Sequence, residues 1–209
     1  MRTLLLVAAV LGPGFVAASA GNDVGGIATY SAAGAQFGYS ILWVMIPLAV
    51  ALIVVQEMST RMGCVTGKGL AALFRENFGV KISFFAMAML FLINTMLTAT
   101  EFAGIAGAAE IFHISRYILV PVMLFAVFFF VLRFDNKIVE RVFVVFSLVY
   151  LSYIASAILA KPNWNGVVRG TLIPTFELRT PGWLTTVVAL IGTTISPYMQ
   201  FFLQSAVVE

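Results

Sequence analysis

Of the 209 residues, 61% are hydrophobic and only 10% are charged, against roughly 25% charged in an ordinary soluble domain, so a soluble globular protein is excluded. Twelve Lys and Arg against nine Asp and Glu leave a formal charge of +3, too little to follow a nucleic-acid backbone, and nucleic acid is not expected as a partner. One cysteine, Cys64, allows neither an intrachain disulfide nor a cysteine-based zinc site, which leaves an all-α polytopic membrane protein with the lipid bilayer as its solvent.

Apolar stretches predict six membrane helices in a single transmembrane domain, over 4–37, 42–62, 82–112, 117–132, 138–160 and 183–209. The first carries Ala20-Gly21-Asn22-Asp23-Val24-Gly25-Gly26, where three glycines around an Asp and an Asn predict a break near 21–26. Met1 to Ala20 also has the outline of a signal peptide ending in Ala18-Ser19-Ala20, but Gly12-Pro13-Gly14 interrupts its apolar part. Gln56 and Glu57 fall near the inner end of the second helix, and Gly63 to Gly69 predicts a loop. The third helix holds Glu101, a small-residue pair at Gly104 and Ala108 suited to helix packing, and the lone His113 at its outer end. Arg133 to Lys137 predicts a turn, and Pro162 to Pro181 is the one long connection. In the sixth helix, Ser196-Pro197 after Gly192-Thr193-Thr194 predicts a second break near 196–198, because proline removes a backbone donor and clashes with the preceding turn.

A cytoplasmic amino terminus puts eight of the twelve Lys and Arg inside and four outside, the distribution that the positive-inside rule favours. Broken helices at bilayer depth free backbone groups, which is tolerated where they face protein or a wet cavity. A break in the first and in the sixth helix is the pattern of an inverted-repeat transporter of the LeuT-like fold, with one repeat present, the second beginning at the sixth helix, and the carboxy-terminal half missing after Glu209.

Gly12-Pro13-Gly14-Phe15, Ala33-Gly34-Ala35-Gln36-Phe37-Gly38-Tyr39-Ser40 with Leu42-Trp43, Arg61-Met62-Gly63-Cys64-Val65-Thr66-Gly67-Lys68 and Ser205-Ala206-Val207 resemble the natural resistance-associated macrophage protein (NRAMP) family of divalent-metal transporters. The resemblance sets the family's Asp-Pro-Gly-Asn motif on Asp23-Val24-Gly25-Gly26 and its Met-Pro-His motif on Ser196-Pro197-Tyr198. Gly26, Ser196 and Tyr198 thus replace an Asn, a soft Met and a His, and the acidic residue three positions before Glu101 is Thr98. That pattern is most like the NRAMP-related magnesium transporter branch and implies Mg²⁺ or Mn²⁺ as substrate, with no resident cofactor.

The residues fit such a cargo on their own chemistry. Mg²⁺ wants octahedral oxygen and keeps its waters, so one carboxylate with carbonyls and hydroxyls in a roomy pocket suits it. Asp23 supplies the charge, carbonyls near Ala20 and Thr193 open at the breaks, Thr194 and Ser196 can meet the water shell, and Gly26 leaves space. Glu101, Tyr198 and Gln56 are candidates for the ion path or gating, Glu101 equally for a structural hydrogen bond. An amino-acid and sodium symporter of the same fold is the alternative, against which stands the charge of Asp23, since it would repel a substrate carboxylate. An intramembrane protease lacks its parts: Asp23 is the only Asp within a span, and His113 has no nucleophile beside it.

Overall fold

The computed structural model describes residues 23–134, 142, 145–177 and 179–208. Ala20, the expected first half of the opening helix, and most of 135–144 lie outside the described residues.

Among the described residues every regular element is helical. Helix α1 (Val24–Phe37) begins at Asp23 and stops at Gly38, whose φ of 57° departs from helix. A 3₁₀ stretch, Gly38–Val44, leads into α2 (Met45–Thr66), which ends on the left-handed Gly67 with its N–H bonded to the Gly63 carbonyl. Then come α3 (Leu70–Ile111), α4 (Arg116–Arg133), a 3₁₀ turn running into α5 (Leu151–Leu159), α6 (Trp164–Leu172, capped by Asn163), α7 (Trp183–Thr194) and α8 (Pro197–Val208). Four helical runs are long and apolar enough to cross a membrane: Val24–Thr66, Leu70–Ile111, Arg116–Arg133 and Trp183–Val208. A shorter apolar stretch, Leu148–Leu159, lies within the expected fifth span.

Two boundaries differ from the sequence expectation. The loop expected over 63–69 is helical through Thr66, and α3 begins at Leu70 rather than near 82. Its charged lead-in carries a Lys68–Glu76 ion pair at 2.7 Å and an Asn77 side chain bonded back to the Leu73 carbonyl, and it is set off from the apolar span by a corner at Gly79 (φ 77°, ψ 175°).

Contacts at the helix ends fix the directions. The Gln36 amide lies beside Gly182, while the start of α1 at Gly26 faces Thr193, so α1 and α7 run antiparallel. Trp43 stacks on Trp183, and Gly63 meets Gln204, so α2 runs parallel to the α7–α8 pair. Phe74 near Phe201 and Glu101 against Val24 make α3 return the other way. The buried core lies where these elements meet: Ala33, Phe37, Ile41, Val44, Leu48, Trp183 and Leu190. The connection after α6 is strapped over it, since Trp43 Nε1 donates to the Thr175 carbonyl (3.0 Å), Thr175 Oγ1 donates to the Ser40 carbonyl (2.9 Å), and Phe176 packs edge-on against Trp43.

Candidate functional site

The start of α1 meets the interruption between α7 and α8. Asp23 precedes α1 in extended conformation and caps it, one carboxylate oxygen accepting the Gly26 N–H. That cap explains a departure from propensity: Gly25 and Gly26 belong to the first helical turn, which begins immediately after Asp23. Asp23 is 7% exposed. A Cβ placed on Gly26 would stand 2.9 Å from Asp23 Oδ1 and 3.6 Å from Thr193 Oγ1, so the missing side chain is what lets the carboxylate and α7 approach.

On the other side, α7 ends at Thr194, Ile195 (φ −106°, ψ 71°) and Ser196 are non-helical, and Pro197 opens α8 where its missing N–H costs no helical bond. Four terminal carbonyls of a helix lose their intrahelical partners at such an end. The Ile191 carbonyl takes the Ile195 N–H (2.9 Å). The Ser196 carbonyl takes the Met199 N–H (3.2 Å), and with the Gln200 amide turned to suit its neighbours its nitrogen donates to the Ser196 (2.6 Å) and Pro197 (2.8 Å) carbonyls. The Thr193 carbonyl has lost its helical partner at Pro197, and among the described residues Ser196 Oγ, at 3.5 Å, is the hydrogen-bond donor to it. Ser196 is buried beside it, and the Thr193 hydroxyl of the same helix end faces Gly26, the residue whose N–H caps on Asp23.

Thr194 is more committed than a free ligand hydroxyl. Its Oγ1 donates to the Leu190 carbonyl (2.6 Å) and lies 2.6 Å from the Tyr30 hydroxyl. Glu101 Oε1 accepts the Val24 N–H at 3.0 Å, so it holds the start of α1. Gly104, one turn on, lets Val24 seat against α3: an added Cβ would stand 2.5 Å from a Val24 methyl. Tyr198 is half-buried and within electrostatic reach of both Asp23 and Glu101. Gln56 is half-buried on α2, where its carbonyl accepts the Thr60 hydroxyl, and among the described residues the hydrogen bonds at the break join other side chains. Ala20 lies outside the described residues.

The arrangement offers one capped carboxylate with carbonyl and hydroxyl oxygens of the α7 end near it. Among the described residues no three His, Cys, Asp or Glu side chains converge. Sequence reasoning missed Tyr30. Its signal was present: Gly26, Tyr30, Ala33 and Phe37 recur at helical spacing on one face of α1.

Residues 14–209 match a family described as natural resistance-associated macrophage protein-like. The chain is also similar to a divalent metal cation transporter, MntH, of Verminephrobacter eiseniae (strain EF01-2), at 28% identity over an alignment that covers 96% of this chain and 49% of that protein. It spans about half the length of that curated relative.

Proposed function

This chain belongs to the natural resistance-associated macrophage protein family, and on that premise we propose that it carries part of a divalent-cation transporter, moving ions by alternating access and catalysing no chemical step. The activity in the relative's name, divalent metal cation transport, supports the class of cargo. The observation that carries the reading is the meeting of the start of α1, at buried Asp23, with the broken end of α7, where Thr193 faces Gly26 and Ser196 is buried. An ionisable group at bilayer depth, beside a helix end whose last carbonyls lose their helical partners, is suited to a cation.

Mg²⁺, with Mn²⁺ as a second cargo, fits the donor set best. The nearby side-chain donors are hard oxygens, and Gly26 leaves room for retained waters. In the full inverted-repeat fold this chain would supply the first repeat and the sixth helix. The remaining half of the same protein is its expected partner, the plasma membrane its expected location and the cytoplasm the expected side of its amino terminus.

The test uses protein expressed from the full genomic reading frame in proteoliposomes. Asp23→Asn keeps an oxygen to cap Gly26 and removes the charge, so Mg²⁺ and Mn²⁺ uptake should vanish while the protein stays folded. Uptake at the wild-type rate would remove Asp23 from the ion site. Stimulation of wild-type uptake of an amino acid, with no divalent flux, would favour the symporter instead.

A further inference from the structure

We propose that Tyr30 is a positioning residue that sets the selectivity of this ion site by fixing the end of α7. The inference rests on the cation reading above and assigns a part to a side chain outside the expected ligand set.

The argument begins with proton counting. Thr194 has one hydroxyl proton, and the Leu190 carbonyl, 2.6 Å away, can only accept. The Thr194 proton is therefore spent on Leu190, and the Tyr30 hydroxyl, also 2.6 Å from Thr194 Oγ1, must be the donor in their bond. Among the described residues this bond is the side-chain hydrogen bond that joins α1 to α7, and it falls at the last residue of α7 before the break. Beyond it the two helices are held by apolar contact, through Ala33, Phe37, Trp183 and Leu190.

The bond matters because of what lies immediately after Thr194. There the helix ends, Ile195 leaves helical geometry, and the Thr193 carbonyl loses its helical partner. A helix terminus at a break frays unless something outside the helix holds it. Tyr30 does so from α1, the same element that carries Asp23 at its start. One helix thus carries the carboxylate at its start and holds the opposing α7 terminus through Tyr30, which sets how closely α7 approaches Asp23 across Gly26.

Gap width bears unequally on different cations. Mg²⁺ demands near-ideal octahedral geometry at short distances, whereas Ca²⁺ accepts longer bonds and variable coordination. A loosened α7 terminus should therefore harm Mg²⁺ binding more than Ca²⁺ binding. A residue that merely supported the fold would lower both together.

Tyr30→Phe keeps the ring and removes the hydroxyl, so the test compares it with wild type in full-reading-frame protein in detergent, titrated calorimetrically with MgCl₂ and CaCl₂. The thermal midpoint is followed in parallel. Mg²⁺ affinity should fall about fivefold, the scale of one ordinary hydrogen bond, and the Mg²⁺ to Ca²⁺ affinity ratio should fall with it at a near-unchanged midpoint. An unchanged ratio, whether both affinities hold or both drop, overturns the positioning role. If the wild-type protein binds neither ion, the cation reading itself fails, and that result is distinct from a wild type that binds while the variant matches it.

Discussion

Gly26 shows how much a single absent side chain can decide. Its amide caps on Asp23 while its missing Cβ leaves the carboxylate and Thr193 close together. Gly26→Ala should therefore pull stability and binding in opposite directions. Replacing a helical glycine by alanine favours helix by about 1 kcal/mol, yet the new methyl must push Asp23 Oδ1 out from 2.9 Å. We expect an equal or higher thermal midpoint with about tenfold weaker Mg²⁺ binding; a variant that binds normally would mean that the carboxylate has freedom to move aside. Gly26→Asn with Ser196→Met adds an amide oxygen and a soft thioether and removes water volume, so competition uptake should shift from Mg²⁺ toward Mn²⁺ and Cd²⁺. Unchanged Mg²⁺ transport by that double variant would take these two positions out of the ion site.

At the scale of elements, the contact to watch is α3 against the start of α1. Glu101 and Gly104 sit on adjacent turns, one binding the Val24 N–H and the other seating its side chain. Glu101→Gln keeps an acceptor oxygen for Val24 and loses the charge, whereas Glu101→Leu loses both. If Glu101 acts as a tether, Gln should transport near the wild-type rate and Leu should not. If its charge serves the ion, both should fail, and uptake assays on the pair separate the two. Gly104→Ala should be destabilising by about 1–3 kcal/mol through overpacking against Val24, read as a lower thermal midpoint. The sequence made the membrane helices legible because apolar length is a strong signal, and it pointed to proline at 197 for a physical reason that the helix end at Thr194 shares. It could not show that Asp23 would pull Gly25 and Gly26 into the helix, since a cap overrides glycine propensity only once its geometry exists. Nor could it show Glu101 reaching Val24, because that pairing spans 77 residues and depends on how α3 crosses α1.

For the whole molecule, orientation and energy coupling follow from the same few charges. Cys64 is exposed in the last turn of α2, next to the Lys68 end expected in the cytoplasm. A membrane-impermeant maleimide should leave it unlabelled in intact right-side-out vesicles and label it after permeabilisation; labelling from outside reverses the proposed topology. The resemblance to the family sets Thr98 and Tyr198 where an acidic residue and a histidine are expected, so proton coupling should be weak. A pH-sensitive dye inside proteoliposomes should stay flat during Mn²⁺ uptake, and metal-driven acidification would contradict this. The corner at Gly79 bears on how any mutational survey of the chain should be read. An added Cβ there would touch nothing within 4 Å, yet φ 77° with ψ 175° is a conformation open in practice only to glycine. Gly79 should score as intolerant as Asp23 while lying far from the ion along α3. Such a score would report the handedness of one peptide unit, and a map of functional residues drawn from intolerance alone would place a false site at the inner bend of that helix.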